Sequence, residues 1–215
     1  MVDPAGSSTL CLECVDALHV SGAGIMLMTA AGPRSVLCAS DPASGAVEEL
    51  QFTLGEGPCV DVCHSGLPVL EPDLGAPGFS RWPAFTPPAM QAGVRAIFGF
   101  PLQVGSIRLG ALDIYNDHPG VLRAEQLAEA VNLAGVVTRK VLDLQAEADP
   151  GYLASELAGP DTLRAPVHQA SGMLSARFGI GVDEALLRLR AYAFAAERPI
   201  NDVARDVVAR RLNIQ

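Results

Sequence analysis

Val94-Arg-Ala-Ile-Phe-Gly-Phe-Pro-Leu-Gln-Val-Gly-Ser-Ile-Arg-Leu-Gly-Ala-Leu-Asp-Ile-Tyr115 is the stretch that decides the fold. Two apolar runs, Val94 to Leu102 and Ile107 to Tyr115, flank Val104-Gly-Ser106. Runs of this length around a glycine turn predict an antiparallel hairpin. Upstream the pattern repeats: Ile25-Met-Leu-Met-Thr29 and Val36-Leu-Cys-Ala39 are separated by Ala31-Gly-Pro-Arg34, which predicts a second hairpin. Leu67-Pro-Val-Leu70 reads as one more short strand. Around these lie helical signals. Leu10, Cys14, Ala17 and Leu18 share a helical spacing, Ala46 to Thr53 reads as a helix, and Cys59 to His64 as one or two turns after the Leu54-Gly-Glu-Gly-Pro58 turn. Residues 71–93 are rich in Pro and Gly and hold the only tryptophan, Trp82, so they read as a long connection with a short helix near Ala84 to Ala92. The order predicts an α+β unit, a mostly antiparallel sheet with helices on one face.

Residues 121–148 are the most regular stretch. Leu127, Ala130, Ala134, Val137, Val141, Leu144 and Ala148 follow alternating steps of three and four, a coiled-coil seam, while Leu133, Val136 and Leu142 lie off it. One apolar surface suits the helix's own sheet and the other a second chain, so the expectation is a signalling helix that pairs two copies in parallel; the alternative is that both surfaces pack within one chain. Asp149-Pro150-Gly151 ends or kinks this helix.

Beyond it, Leu163, Val167, Ala170, Leu174 and Phe178 form one helical face, Gly179 stops it, and Pro166 is tolerated if the helix opens at Ala165. Asp161 or Thr162 is the candidate cap. A second helix opens after Gly181 with Ala185, Leu186, Leu189, Ala193 and Ala196 as its stripe, and Pro199 opens a third carrying Ile200, Val203, Val207 and Val208. The chain thus divides into residues 1–120, a linking helix over 121–150, and a three-helix unit over 160–215.

The 215 residues are 49% hydrophobic and 18% charged, which excludes a disordered chain. No apolar run approaches the roughly 18 residues of a membrane span, and Met1-Val-Asp-Pro-Ala-Gly-Ser-Ser8 has no signal-peptide character, so the expected compartment is the cytoplasm. There the five cysteines, Cys11, Cys14, Cys38, Cys59 and Cys63, are expected to be reduced, and their odd number argues against a disulfide framework. Charge is uneven. Residues 1–160 hold 7 Lys/Arg and 18 Asp/Glu, a formal −11, whereas residues 161–215 hold 8 Arg and 6 Asp/Glu, a formal +2. An acidic body repels nucleic acid, and the basic tail tolerates it.

Two regions carry chemistry-bearing residues. Cys59-Val-Asp-Val-Cys63-His64 places two thiols on one helical face beside an imidazole. This suits thiol redox chemistry, but small buried hydrophobes are the simpler reading. As a metal site it supplies three donors where about four are needed, so no metal or other cofactor is expected. Cys59, Trp82, Phe85 and Phe98 are candidates to line a small-molecule pocket. There is no Walker element and no Gly-x-Ser-x-Gly elbow, so neither nucleotide hydrolysis nor serine-hydrolase chemistry is supported. In the tail, Arg190, Arg198 and Arg205 suit guanidinium stacking or phosphate contact and Tyr192 suits base stacking. Arg190 can instead pair with Glu197 or Asp183, and Tyr192 can pack at a dimer seam.

The tail is also recognisable. Arg164-Ala-Pro-Val-His-Gln-Ala-Ser-Gly-Met-Leu174, Phe178-Gly-Ile-Gly-Val-Asp-Glu-Ala185, Leu189-Arg190, Ala193 and Asp202-Val-Ala204 resemble the ANTAR domain, a three-helix RNA-binding module of bacterial transcription antiterminators. Leu54-Gly-Glu-Gly-Pro-Cys59, Pro68-Val69, Asp73-Leu74, Arg81-Trp-Pro83, Gly93-Val-Arg95, Pro101-Leu102 and Leu109-Gly-Ala-Leu-Asp113 resemble the GAF sensor domain that precedes ANTAR in actinobacterial regulators. The resemblance implies a non-enzymatic, dimeric signalling protein that binds tandem stem-loops in nascent messenger RNA. It places Gln169, Ser171, Arg190 and the start of the third helix near Arg198 on the family's polar surface. That family usually carries Lys where this chain has Ser171, so restoring it is expected to add a phosphate contact. Some GAF proteins reduce free methionine sulfoxide with cysteines; the alternative function is accordingly a redox-active GAF protein, sensor or reductase, with a dimerising or degenerate tail.

Overall fold

A computed structural model describes residues 5–29, 32–79, 81–146, 165–196 and 198–214. They fall into two compact units, Met1–Gly159 and Pro160–Gln215. The helix-ending Asp149-Pro150-Gly151, the seam residue Ala148, the candidate caps Asp161 and Thr162, Arg164 and Glu197 lie outside the described residues.

In the first unit the deciding stretch forms β4 (Ala96–Val104) and β5 (Ile107–Asn116), paired antiparallel from Ala96↔Asn116 to Val104↔Ile107. Gly105 holds φ 57 in the turn, a left-handed conformation that favours glycine. β1 (Gly22–Thr29) and β2 (Gly32–Ala39) form the other hairpin, and β3 (Val69–Glu71) joins the edge. All pairings are antiparallel, in the order β2-β1-β5-β4-β3.

Helices cover both faces of this sheet, not one. On the first face lie α1 (Ala5–Leu18) and α5 (Ala124–Ala146), with Leu10, Cys14 and Leu18 packed against Ala23, Ile25, Leu27, Phe98, Phe100 and Ile114. On the second lie α2 (Pro42–Leu54) and α3 (Pro58–Ser65), which contact β1, β2, β4 and β5. Side chains alternate along a strand, so the residues between those of the first face serve the second. Away from the tip of their hairpin, β4 and β5 are buried on both sides, as is β1, and their sequence shows near-continuous apolar runs without the alternation that marks a half-exposed sheet.

The seam of α5 is corrected by the same packing. Ala130, Ala134, Val137 and Val141 are buried in the core against the sheet and α1, with Leu127 and Leu144 packed at its edge. A three-four spacing is what any helix needs to lie on a sheet, so it does not by itself specify a second chain. The residues left outside are Val131, Val136 and Leu142.

The cysteine expectation is also corrected. Cys11 of α1 is joined to Cys38 of β2, their Cα atoms 6.0 Å apart. Packing of α1 across the β1–β2 hairpin brings them together, and an odd total excludes only a fully paired set. α2 is capped by Asp41, whose side chain accepts from the amides of Ala43 and Ser44 while the Ser44 hydroxyl returns to the Asp41 amide. α4 (Thr86–Gln91) is the short helix of the long connection.

The second unit is α6 (Ala165–Phe178), α7 (Val182–Ala195) and α8 (Ile200–Val208), each packed on the other two. Its core is Val167, Ala170, Leu174, Ala185, Leu189, Ala193, Ile200, Val203, Ala204 and Val207. Gly179 ends α6 with φ 66, and Gly181 and Pro199 stand at the starts of α7 and α8 without side-chain caps. Arg198 and Arg211 both pair with Asp206, at 2.6 and 2.9 Å, tying the entry of α8 to its end.

Candidate functional site

Under α2 and α3 the sheet carries a polar group in an apolar setting. Asp113 of β5 faces Gly24 of β1 on one side and Gly99 of β4 on the other. Above it, Gln51 of α2 donates from Nε2 to Asp113 Oδ2 at 2.6 Å, and its Oε1 accepts from the Cys59 amide at 2.8 Å. Glu48, one helical turn before Gln51, completes the group. A carboxylate oxygen of Glu48, one of Asp113 and Cys59 Sγ all lie within 4.8 Å of one another, with all three residues buried. Burial pushes the Asp113 carboxyl well above the ordinary carboxylate range, against the hydrogen bonds to Gln51 and Glu48.

Cys59, Trp82 and Phe85 gather around α3. Trp82 donates to Asp61 at 3.0 Å and meets Phe85 edge-on at 5.8 Å, while the amides of Ala84 and Phe85 donate to Glu56. Phe98 is not brought to them. It packs in the α1–α5 core, because its neighbour Gly99 takes the α3 face. The Cys59–Cys63–His64 group also separates: Cys59 is buried, Cys63 half-buried and His64 exposed. Burial pushes the Cys63 thiol up despite Arg108, and the Cys14 thiol up to about 11, with Glu13 adding to it. Neither is a poised thiolate.

In the second unit the six sequence candidates separate by exposure. Gln169 and Arg205 are exposed; Arg190, Tyr192 and Arg198 are half-buried. Ser171 is 2% exposed and its hydroxyl donates to the Val167 carbonyl at 2.9 Å, so it lies in the helical core and presents nothing to a phosphate. Arg205 pairs with Asp202 at 2.7 Å and Arg198 with Asp206. The sequence reading passed over a groove of about 510 Å³ between α6 and the chain after α8, whose lining includes Met173, Arg177, Arg210, Leu212 and Asn213. Arg177 and Arg188 also lie over the Phe178 ring, at 5.0 and 5.3 Å. Glu48 and Gln51 were likewise passed over, and Asp113 figured only in a family resemblance. The one local signal is at Asp113, a charge between Leu112 and Ile114 in an apolar strand; Glu48 and Gln51 lie in a helix that also carries Ser44, Glu49 and Thr53 and do not stand out there.

The first unit has the fold of GAF domains, a class of signal-sensing domain. A GAF domain region of a putative membrane protein from Geobacter sulfurreducens superposes with TM-score 0.53 at 16% identity, over 65% of this chain and 93% of that one. A domain of a putative two-component sensor histidine kinase from Sinorhizobium meliloti gives 0.52 at 21% identity, over 65% and 90%. The GAF domain of an Acinetobacter phosphoenolpyruvate-protein phosphotransferase gives 0.51 at 16% identity, over 66% and 84%. Residues 162–208 match the ANTAR domain family, an RNA-binding antitermination module, so the chain joins a GAF-like fold to an ANTAR domain. No curated protein matches the chain by sequence. Among the described residues, no helix is long and apolar enough to cross a membrane.

Proposed function

We propose that this protein is a cytoplasmic, signal-responsive regulator that binds RNA and controls transcription antitermination. The observation that carries the reading is the ANTAR match over residues 162–208, on a three-helix unit more basic than the rest of the chain. Its target is tandem stem-loops in nascent messenger RNA, bound by two copies of the chain, with a small molecule as the signal in the GAF-like unit. Gln169, Arg205 and Arg210 are among the exposed polar groups available to RNA, and Tyr192 and Arg198 contribute their accessible edges, whereas Arg190 holds its Nε and Nη2 buried and offers less. Arg205 has to leave Asp202, which costs little because an exposed ion pair is worth about 0–1 kcal/mol. The burial of the α5 seam removes that surface from any pairing of chains. Redox catalysis by Cys59 and Cys63, the alternative, is not favoured, because Cys59 is buried and burial raises the Cys63 thiol.

The test has two arms. RNA that co-purifies with the protein is sequenced, and a labelled tandem hairpin is titrated at two salt concentrations. Binding is expected to weaken as salt rises, with a shallow slope, because few phosphates are neutralised. Absence of enriched hairpins together with no binding at low salt refutes the RNA assignment.

A further inference from the structure

The Asp113 site is built in a way that a packed core does not require. A Cβ at Gly24 would collide with the Glu48 carboxylate, and one at Gly99 would come within 3.0 Å of Asp113 Oδ1. Two missing side chains on either side of Asp113 thus open a depression in the sheet, and acidic groups occupy it. Glu48 is 0% exposed and Asp113 3%. Burying ionised groups costs several kcal/mol each unless opposite charge offsets it. Among the described residues Asp113 has no basic partner, and no N–H group donates to its buried Oδ1, the Glu48 carboxyl being its acidic neighbour.

We propose that Glu48, Cys59 and Asp113 bind a divalent first-row transition-metal ion beneath the sheet of the GAF-like unit. Two positive charges match two carboxylates, and the buried Asp113 oxygen that no N–H group reaches gains a ligand's role. The mixed donor set selects the class of ion. Magnesium and calcium take oxygen ligands, whereas a thiolate beside carboxylates suits iron(II), cobalt(II) or zinc(II). Gln51 is the positioning residue, since it holds Asp113 Oδ2 and the Cys59 amide at once. Three protein donors leave a fourth position open, as in metal sites that admit a further ligand. This gives the unit an input for a small donor molecule. The inference concerns the first unit alone and stands independently of the RNA reading.

The experiment uses the full chain, stripped with chelator under anaerobic conditions without added thiol, and titrated with cobalt(II). The expected result is about one ion per chain, with a near-ultraviolet thiolate-to-cobalt charge-transfer band. Cys59→Ser is expected to lose that band and Cys63→Ser to keep it. Glu48→Gln and Asp113→Asn, which keep side-chain shape, are expected to weaken binding by roughly 10-fold or more. Trp82 fluorescence reports whether each variant remains folded. Wild-type protein that folds but takes up no stoichiometric cobalt overturns the proposal, as the case of two carboxyls sharing a proton. A band that survives Cys59→Ser overturns it too, by placing the ion on Cys14 or Cys63, and so does wild-type affinity in both folded carboxylate variants. Because the wild-type band is itself decisive, a variant that fails to fold does not remove the test.

Discussion

Val137→Glu separates a helix packed in its own core from one packed against a second chain. Val137 is 1% exposed and sits in the cluster formed by α1, α5 and the sheet. Burying a valine side chain is worth about 1.5–3 kcal/mol. A carboxylate in its place either stays ionised in an apolar layer or takes up a proton, and either costs several kcal/mol more without a partner. The loss is therefore about 4 kcal/mol or more, against the 5–15 kcal/mol that holds a typical domain together. Trp82, the only tryptophan, is 2% exposed within the same unit, so its fluorescence in a urea titration reports this loss directly. Val136→Glu serves as control: Val136 is 47% exposed, and a substitution there is expected to stay within about 0.5 kcal/mol. Light scattering on the same samples gives the mass. A Val137→Glu protein with a wild-type urea midpoint and a halved mass would refute the reasoning, since the valine would then lie between chains.

Reduction of the Cys11–Cys38 bond, which spans 27 positions, is expected to lower stability by about 3–4 kcal/mol through loop entropy regained by the unfolded chain; urea titration with and without reductant measures it. Ser171→Lys is expected to loosen the three-helix unit, lowering its helical melting temperature by circular dichroism, because the position is buried; a stable variant with tighter RNA binding would return it to the surface. Burial acts to raise the Asp41 carboxyl, yet hydrogen bonds from Ser40, Ser44 and Tyr115 hold it below 3.8. A depressed carboxyl contributes stability above its unfolded value that is lost as pH falls through the folded one. Asp41→Asn should therefore flatten the acid limb of a stability–pH curve below about pH 4 and leave its upper part parallel to wild type.

The sequence by itself determined the elements and the character of the second unit. Gly105 between two apolar runs is enough for a hairpin, and the spacing of Val167, Ala170 and Leu174 is enough for a helix with one inward face, since both follow from neighbours a few residues apart. Tertiary structure decided everything that depends on which face meets which. The seam of α5 has the same spacing whether it meets a sheet or a second helix. Ser171 is a polar residue by type but lies on the inward side of α6. Cys11 and Cys38 become partners only when α1 crosses the first hairpin. The buried group at Asp113 draws on α2, α3 and β5, with glycines from β1 and β4, so no local window contains it. Its existence follows from strand register, which a sequence constrains only through the completed packing of both faces.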